Sequence, residues 1–186
     1  MGLRKSFSNS MNRGLTATNL VVNGNFAGGT TGWIINASSI SALSNELTLL
    51  ATAQYGALRM GIALSTFATK KYYIKADVKS TSPLAMLAYP TGNVSHTGSN
   101  IYEKLSVVFS SGVDYLNSAF NFQIRDNRTS GWDNIYVKNV TFIDLTALFG
   151  AGNEPTLAEC DRIFANWFDG TTGLLQTLSP NSPLRN

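Results

Sequence analysis

The sequence predicts an all-β protein: an antiparallel two-sheet jelly-roll sandwich with a C-terminal α-helix and extended terminal arms. Apolar and polar residues alternate over much of 19–145, residues typical of turns separate these runs, and a helical pattern occurs only near the C-terminus. The length of 186 residues suits one domain with a sizeable core. We expect four segments: an N-terminal arm (1–18), the sandwich (19–145), a connector with an amphipathic helix (146–170) and a C-terminal arm (171–186).

The strands are predicted from period-two alternation. In the run 72–79 the even positions face the core, and Tyr73, Lys75, Asp77 and Lys79 face water. The same rule directs Phe122 and Ile124 inward and their neighbours Asn121, Gln123 and Arg125 outward. With the shorter runs 46–50, 57–62 and 84–89, about eight strands are expected. The parity slips between Val137 and Val140, which predicts a β-bulge at Asn139.

The helix is predicted over about 157–168. Thr156 and Glu159 have the spacing of a capping box, Pro155 fits a helix entrance, and Gly170 fits a helix end. One face of this helix is apolar and must be buried on the sandwich or on another subunit. It comprises Leu157, Cys160, Ile163, Phe164, Trp167 and Phe168.

Composition excludes several classes of function. Charged residues are only 13% of the chain and the net charge is +3. Because the basic residues form no long runs, no nucleic-acid partner is expected. The single Cys160 cannot form an internal disulfide, and the single His96, expected on a surface loop, cannot form a multi-histidine metal site. No apolar run reaches the roughly 18 to 20 residues of a membrane span.

The N-terminal arm is basic because it contains Arg4, Lys5 and Arg13, whereas the first acidic residue is Glu46. A polar terminus normally frays unless something holds it. We therefore expect these three residues, together with Phe164, Trp167 and Phe168, to make assembly contacts.

Two stretches carry resemblances to known families. The run Asn19–Phe26 with Gly32 and Trp33, and the later runs 56–59, 73–79, 102–109 and 135–140, resemble carbohydrate-binding modules of the galactose-binding-like jelly-roll type. The segment 144–156, with its string Phe-Gly-Ala-Gly-Asn-Glu-Pro, is similar to a segment that follows such sandwiches in bacteriophage tail and fibre proteins. In the first resemblance, Trp33 closes one end of the core.

The first resemblance also implies a structural calcium ion, because such modules often hold one with acidic residues after the first-strand Phe and in the last strand. Here those places are Ala27 and Lys138, and a lysine opposes a hard cation. Asn25 and Asp133 remain as donors for a calcium site with few acidic ligands. No other cofactor is expected.

A glycan-binding face needs flat aromatic rings and planar polar groups. The candidates are Tyr89, Trp132, Gln123 and Arg125. In the alternative interpretation Trp132 packs at an edge of the sandwich and Arg125 is simply solvated.

No enzyme is expected, because the carboxylates are scattered and no nucleophile motif accompanies the single histidine. The resemblance of the segment 144–156 to tail and fibre proteins implies a bacteriophage virion protein, made in the host cytoplasm, of the tail, fibre or surface-accessory type. Its partners are other virion proteins, as a homo-oligomer, and host surface glycan. Two alternatives stay open: a capsid or connector decoration protein with protein contacts only, and a non-viral carbohydrate-binding module.

Overall fold

The computed structural model describes residues 15–60, 70–89, 91–110 and 122–173. Its elements are β1 (Thr16–Thr18), β2 (Ile34–Asn36), β3 (Ser38–Leu43), β4 (Glu46–Ala51), β5 (Ala57–Met60), β6 (Lys71–Lys79), β7 (Ala85–Tyr89), β8 (Gly92–Ser95), β9 (Tyr102–Ser110), β10 (Phe122–Asp126), β11 (Ile135–Asp144), α1 (Leu145–Phe149), α2 (Leu157–Ile163) and β12 (Thr171–Gly173).

Ten of these strands form two five-stranded antiparallel sheets. The front sheet has the order β2-β5-β10-β7-β8, and the back sheet has the order β3-β4-β11-β6-β9. Their inner faces enclose one apolar core, to which Leu58, Leu87 and Ile124 contribute from the front and Leu49 and Ile74 from the back. The predicted fold class, an antiparallel two-sheet β-sandwich with a C-terminal helix, is confirmed.

Trp33 belongs to this core, as predicted. Its ring lies 5.2 Å from that of Phe26, and its Nε1 donates to the carbonyl oxygen of Asn23 at 3.2 Å. An indole buried with its N–H bonded gains packing without an unsatisfied donor. The loop before Trp33 is therefore a closure of the core.

The predicted exposure of Tyr73 and Lys75 is wrong, because both are buried. They lie on the outer face of β6, where Tyr73 packs against Phe164 at 5.5 Å between ring centroids. A second apolar cluster, which includes Ala17, Ile143 and Cys160, covers this part of the back sheet. The period-two rule assumes that one face of a sheet is exposed to solvent. Here α2 and the segment after it cover the outer face of β6, so both of its faces are buried.

The predicted β-bulge is confirmed. The register of β11 against β6 shifts between Lys138 and Thr141, and Asn139 has a φ of 56°. The carbonyl oxygen of Val140, beside this bulge, accepts from Trp167 Nε1 at 3.0 Å and from Asn19 Nδ2 at 3.3 Å. Two side chains thus satisfy the carbonyl group of Val140 at the bulge, where the strand pairing is interrupted.

Helix α2 is shorter than predicted, although its capping box of Thr156 and Glu159 is present. It ends at Ile163, and the next carbonyl groups, those of Phe164 and Ala165, accept hydrogen bonds from Lys75 Nζ. Tertiary contacts, which no local pattern encodes, therefore end the helix early.

The connector before α2 is also more ordered than a glycine-rich link. It contains α1, and then Gly150 and Gly152 with φ near +80°, a conformation that favours glycine. Glu154 closes the turn by accepting from Thr146 Oγ1 at 2.8 Å and from the N–H of Gly152 at 2.9 Å. The string Phe149–Pro155 is thus a structured link between the back sheet and α2.

The two expected arms meet at their inner ends. β1 pairs with β12 in antiparallel register, with Thr16 opposite Gly173. The N–H of Asn19 donates to the carbonyl oxygen of Gly170 at 2.8 Å and continues the pairing. Residues 1–14 and 174–186, the remainder of the arms, lie outside the described residues.

Candidate functional site

The outer face of the front sheet is the candidate site. Cross-strand pairing sets two rows of side chains on it, since directly opposed residues share a face. One row runs Ile34, Arg59, Gln123, Ala88 and Asn93. The other runs Asn36, Ala57, Arg125, Met86 and Ser95. The sequence prediction that Gln123 and Arg125 face away from the core is therefore correct, and the two rows place them side by side.

The centre of this face is more sheltered than its edges. Gln123, Ala57, Met86 and Ala88 are buried, whereas Asn93 and Ser95 at one edge are exposed. The small side chains at positions 57 and 88 lie directly beside Arg125 and Gln123. We call this partly sheltered face, with planar groups at its centre, the polar recess.

Hydrogen bonding fixes the amide at this centre. Arg59 Nε donates to Gln123 Oε1 at 3.1 Å, so the amide nitrogen of Gln123 is directed away from Arg59. The guanidinium of Arg125 lies over the ring of Tyr55, with its central carbon 5.3 Å from the ring centroid. This cation–π contact holds Arg125 at the rim of the recess.

Two buried polar atoms beside this recess have no hydrogen-bond partner within the described part of the chain: Arg125 Nε and Asn127 Oδ1. Asn127 follows β10, and its N–H donates to the carbonyl oxygen of Leu84 at 3.0 Å, so it continues the strand pairing. Buried polar groups are nearly always satisfied, so this donor and this acceptor are available to a water molecule or a ligand.

Tyr89 does not join this group. It lies at the end of β7 opposite Gly92, with its ring packed on Phe109 at 5.2 Å between centroids. Phe109 belongs to the core, so Tyr89 faces inward. The structure therefore places Tyr89 on the opposite side of the sheet from Gln123 and Arg125.

Trp132 lies on the loop between β10 and β11, beside a charged cluster. Its Nε1 donates to the carbonyl oxygen of Arg128 at 3.3 Å, and its side chain is half-buried. Arg128 in turn bonds Asp126 at 2.6 Å and Asp133 at 3.1 Å. Trp132 thus packs on a loop closed by ion pairs, the alternative that the sequence left open, although its partly exposed ring stays a predicted glycan contact.

Asn25 and Asp133 do not form one site. The N–H of Val140 donates to Gly24, next to Asn25, whereas Asp133 precedes the start of β11. The run from Ile135 to Val140 alone spans about 17 Å of strand. Asp133 also accepts from Thr81 at 3.0 Å and from Arg128, and these bonds lower the pKa of its carboxyl group. The predicted donors therefore do not fit a calcium ion.

Among the described residues, no group of three or more His, Cys, Asp or Glu side chains could hold a metal ion. The part of the chain that the structure covers also contains no helix long and apolar enough to cross a bilayer.

The residues predicted to make assembly contacts differ in their burial and in whether the structure describes them. Phe164 is 1% exposed and packs on Tyr73, so its apolar contact is with the sandwich and the prediction of an assembly contact is wrong for it. Trp167 and Phe168 are half-buried. Arg4, Lys5 and Arg13 lie outside the described residues.

His96 is buried, which corrects its predicted position on the surface. Its Nδ1 accepts from the N–H of Gly98 at 2.8 Å, so the proton of the neutral ring lies on Nε2, which is 3.0 Å from the carbonyl oxygen of Ile101. The ring therefore closes the loop between β8 and β9. Cys160 is buried as expected, and burial raises the pKa of its thiol to about 12.

An open groove of about 470 Å³ lies away from the candidate site, between β1 and α1. Its lining is mostly apolar and includes Leu15, Leu20, Ile143 and Leu148. None of the predicted glycan-binding residues lines it.

Sequence reasoning missed Arg59, Asn36, Tyr55 and Asn127. The strand containing Arg59 was expected, but its position beside β10 is a matter of sheet order. Alternation shows which side of a strand a residue takes, not which strand lies next to it.

Comparisons with known proteins give fold-level likeness only. No protein-family model matches the sequence, and no curated protein matches it. Among solved structures, a family 29 carbohydrate-binding module from Piromyces equi is similar over 61% of this chain and 80% of its own, with 17% identity and a TM-score of 0.41. The second N-terminal cellulose-binding domain of Cellulomonas fimi β-1,4-glucanase C is similar over 69% of this chain and 95% of its own, with 11% identity and a TM-score of 0.47. The enzymatically active domain of tailspike protein 4 of bacteriophage CBA120 is similar over 67% of this chain but 21% of its own, with 14% identity and a TM-score of 0.45.

Proposed function

We propose that this protein is a non-catalytic, glycan-binding β-sandwich of a bacteriophage virion, from the tail, a fibre or a surface accessory. The observation that carries the glycan-binding part is the polar recess on the outer face of the front sheet. There Arg59, Gln123 and Arg125 present planar hydrogen-bonding groups beside the small residues Ala57 and Ala88.

Sugar hydroxyls suit such a recess. A hydroxyl both donates and accepts, so it can bond an amide and a guanidinium at once. The amide nitrogen of Gln123 and the N–H groups of Arg125 are donors, and Asn127 Oδ1 is an acceptor. A sugar ring lying across β10 would satisfy Arg125 Nε and Asn127 Oδ1, which lack partners among the described residues.

The proposal is of a binding module and not of an enzyme. Several carboxylates are held in ion pairs: Asp126 with Arg128, Asp144 with Lys70, and Asp161 with Lys104. Carboxylates fixed in this way serve packing and are poorly placed to exchange protons with a substrate.

The virion part rests on the resemblance of 144–156 to tail and fibre proteins. Since that segment links the back sheet to α2, its role is to fix the helix on the sandwich. The front face then stays free to meet a host surface while other parts of the chain contact virion proteins.

Binding can be tested on a glycan array and with isolated host envelopes. Gln123→Leu and Arg59→Ala should abolish retention, and Arg162→Ala, which removes the same charge from the exposed surface of α2, should not. Retention of wild-type and all variants alike, with unchanged melting temperatures, would contradict the site. Detection of the chain in purified particles by mass spectrometry tests the virion assignment and separates it from a non-viral module.

A second candidate, a decoration or connector protein with protein contacts only, is favoured by one edge of the sandwich. β2 and β3 are edge strands of the two sheets and follow each other along the chain. The run 27–45 contains no charged residue, while Ile34, Ile35 and Leu43 are exposed. Edge strands are normally blunted by charges or proline, so this edge is open to pairing.

Pairing with a second copy fits this edge, because an uncharged strand meets no like charge across a two-fold axis. Ser41→Lys with Leu43→Lys should convert an oligomer to monomer in light scattering. If the double variant keeps both its mass in solution and its incorporation into particles, this edge is not the assembly surface.

A further inference from the structure

Arg125 is a charged side chain that makes no hydrogen bond to another described residue. Its Nε is buried without a partner among these residues, and its contact with Tyr55 is with the face of the ring, so the ring does not occupy the in-plane N–H groups of the guanidinium. None of the ion pairs between described residues includes Arg125. A buried guanidinium donor without an acceptor is costly, and an anionic oxygen is the partner that compensates it best.

The charge around Arg125 has one sign. The strands of the front sheet contain two basic residues, Arg59 and Arg125, and one acidic residue, Asp126. Asp126 is fully buried and bonded to Arg128. It does not share the outer face, because alternation places it on the side opposite Arg125. Among the described residues, Arg125 therefore has no carboxylate beside it on this face.

Flat aromatic residues are scarce in the same place. The two cross-strand rows of the recess contain no aromatic side chain. Tyr55, at the rim, has Arg125 over one face of its ring and is 47% exposed. Stacking on a neutral pyranose ring needs an open aromatic face, which the two rows do not provide. Recognition over the two rows must therefore come from hydrogen bonds and charge.

We infer that the glycan bound on the outer face of the front sheet is anionic, with a carboxylate or phosphate group received by Arg125. This inference rests on the proposed glycan-binding function. The guanidinium takes the anionic oxygens in its plane, and the neighbouring Asn127 Oδ1, about 7 Å further along the strand, accepts from a hydroxyl of the same or the next sugar.

Matched ligands test the charge. Calorimetric titration would compare oligogalacturonate with its methyl ester, which has the same backbone but no charge, and a phosphodiester-linked glycan with its dephosphorylated backbone. The acidic member of at least one pair should bind about tenfold or more tightly than its neutral form, and the preference should weaken at high salt. The pair that shows the preference identifies carboxylate or phosphate.

Variants then assign the charge to its residue. Arg125→Gln should remove the preference of the acidic over the neutral member, and Arg125→Lys should retain part of it, since the charge remains but the planar fork is lost. Lys79→Gln removes one positive charge from the back sheet and should leave the preference intact. Melting temperatures verify that each variant is folded.

The outcomes separate the two claims. Equal binding of acidic and neutral members, with no effect of Arg125→Gln, would overturn the anionic class and leave glycan binding standing. An equal loss of preference in Lys79→Gln would assign it to general charge and likewise overturn the role of Arg125. Failure of every glycan, charged or neutral, to bind would overturn both the inference and the proposed function.

Discussion

Lys75 reaches from the middle of β6 to the carbonyl oxygen of Phe164 just beyond helix α2, and its ammonium group is buried there. It also donates to the carbonyl oxygen of Ala165 at 2.9 Å. One buried lysine thus joins the back sheet to the segment that follows α2 and satisfies two carbonyl groups that no intrahelical donor could reach.

We expect Lys75→Met to lower the free energy of unfolding by about 1–3 kcal/mol, because two buried carbonyl groups lose their donor. Lys71→Met, on the exposed start of the same strand, is the control and should change it little. Urea denaturation measures both. A Lys75→Met protein as stable as wild type would mean that burial of the charge cancels its bonds.

The same lysine predicts a pH dependence. Burial lowers the pKa of Lys75 below its ordinary value of 10.5, with smaller opposing effects of Asp77 and Asp161. The unfolded chain therefore binds more protons at this site than the folded chain just below pH 10.5, so the stability of wild type relative to Lys75→Met should rise as the pH approaches that value. Melting temperatures of the pair across this range test the sign, and a falling difference contradicts it.

Glu103 predicts an effect at the acid end. Burial opposes its ionisation, but hydrogen bonds from Ser99 and Thr97 and the proximity of His96 outweigh it and hold its pKa at about 2. The stabilisation is present above the ordinary pKa of 4.5 and is lost as the pH falls toward 2. Glu103→Gln should remove this part of the acid dependence. Identical acid melting profiles of the two proteins would show that the loop bonds do not contribute.

Replacing Asn19 by aspartate should destabilise the protein, although the two side chains have the same shape. Its amide donates to the carbonyl oxygens of Val140 and Phe168, and its oxygen accepts from the N–H groups of Val21 and Phe142. Asn19→Asp puts a carboxylate against two carbonyl oxygens, with an expected cost of about 3 kcal/mol at neutral pH. This cost should shrink at low pH, where the protonated acid regains one donor. A pH-independent loss would point to a purely steric cause.

Gly24 has no room for an added methyl group. A Cβ there would lie 2.2 Å from the carbonyl oxygen of Val140, whereas one on Gly173 meets nothing within 4 Å. Gly24→Ala should therefore cost about 3 kcal/mol, while Gly173→Ala should be close to neutral. Chemical denaturation of the two variants compares them directly, and equal stabilities would show that the bulge of β11 can shift.

Much of the sandwich could be predicted because alternation is a local signal. The alternation of apolar and polar residues predicts both that Gln123 faces away from the core and that β11 has a bulge at Asn139. What failed depends on distant parts of the chain: Tyr73 and Lys75 are buried by a helix about 90 residues away in sequence, as the separations of their bonded partners show.

For the same reason, only part of the candidate site could be predicted from the sequence. Gln123 and Arg125 lie on one strand, and its alternation shows that both side chains face away from the core. Arg59 joins them through a pairing across 64 residues, and Tyr89 was misjudged because its aromatic character says nothing about which face its strand turns toward the core.

The pairing of β1 with β12 has a mechanical consequence. Thr16 and Gly173 are directly opposed, so the chain enters and leaves the sandwich at one point. Pulling the flanking segments in opposite directions would break the hydrogen bonds between β1 and β12 one at a time, before the force reached the two sheets. If the flanking segments are tethered, the β1–β12 ribbon opens first under force, and the outer face of the front sheet keeps its shape under tension.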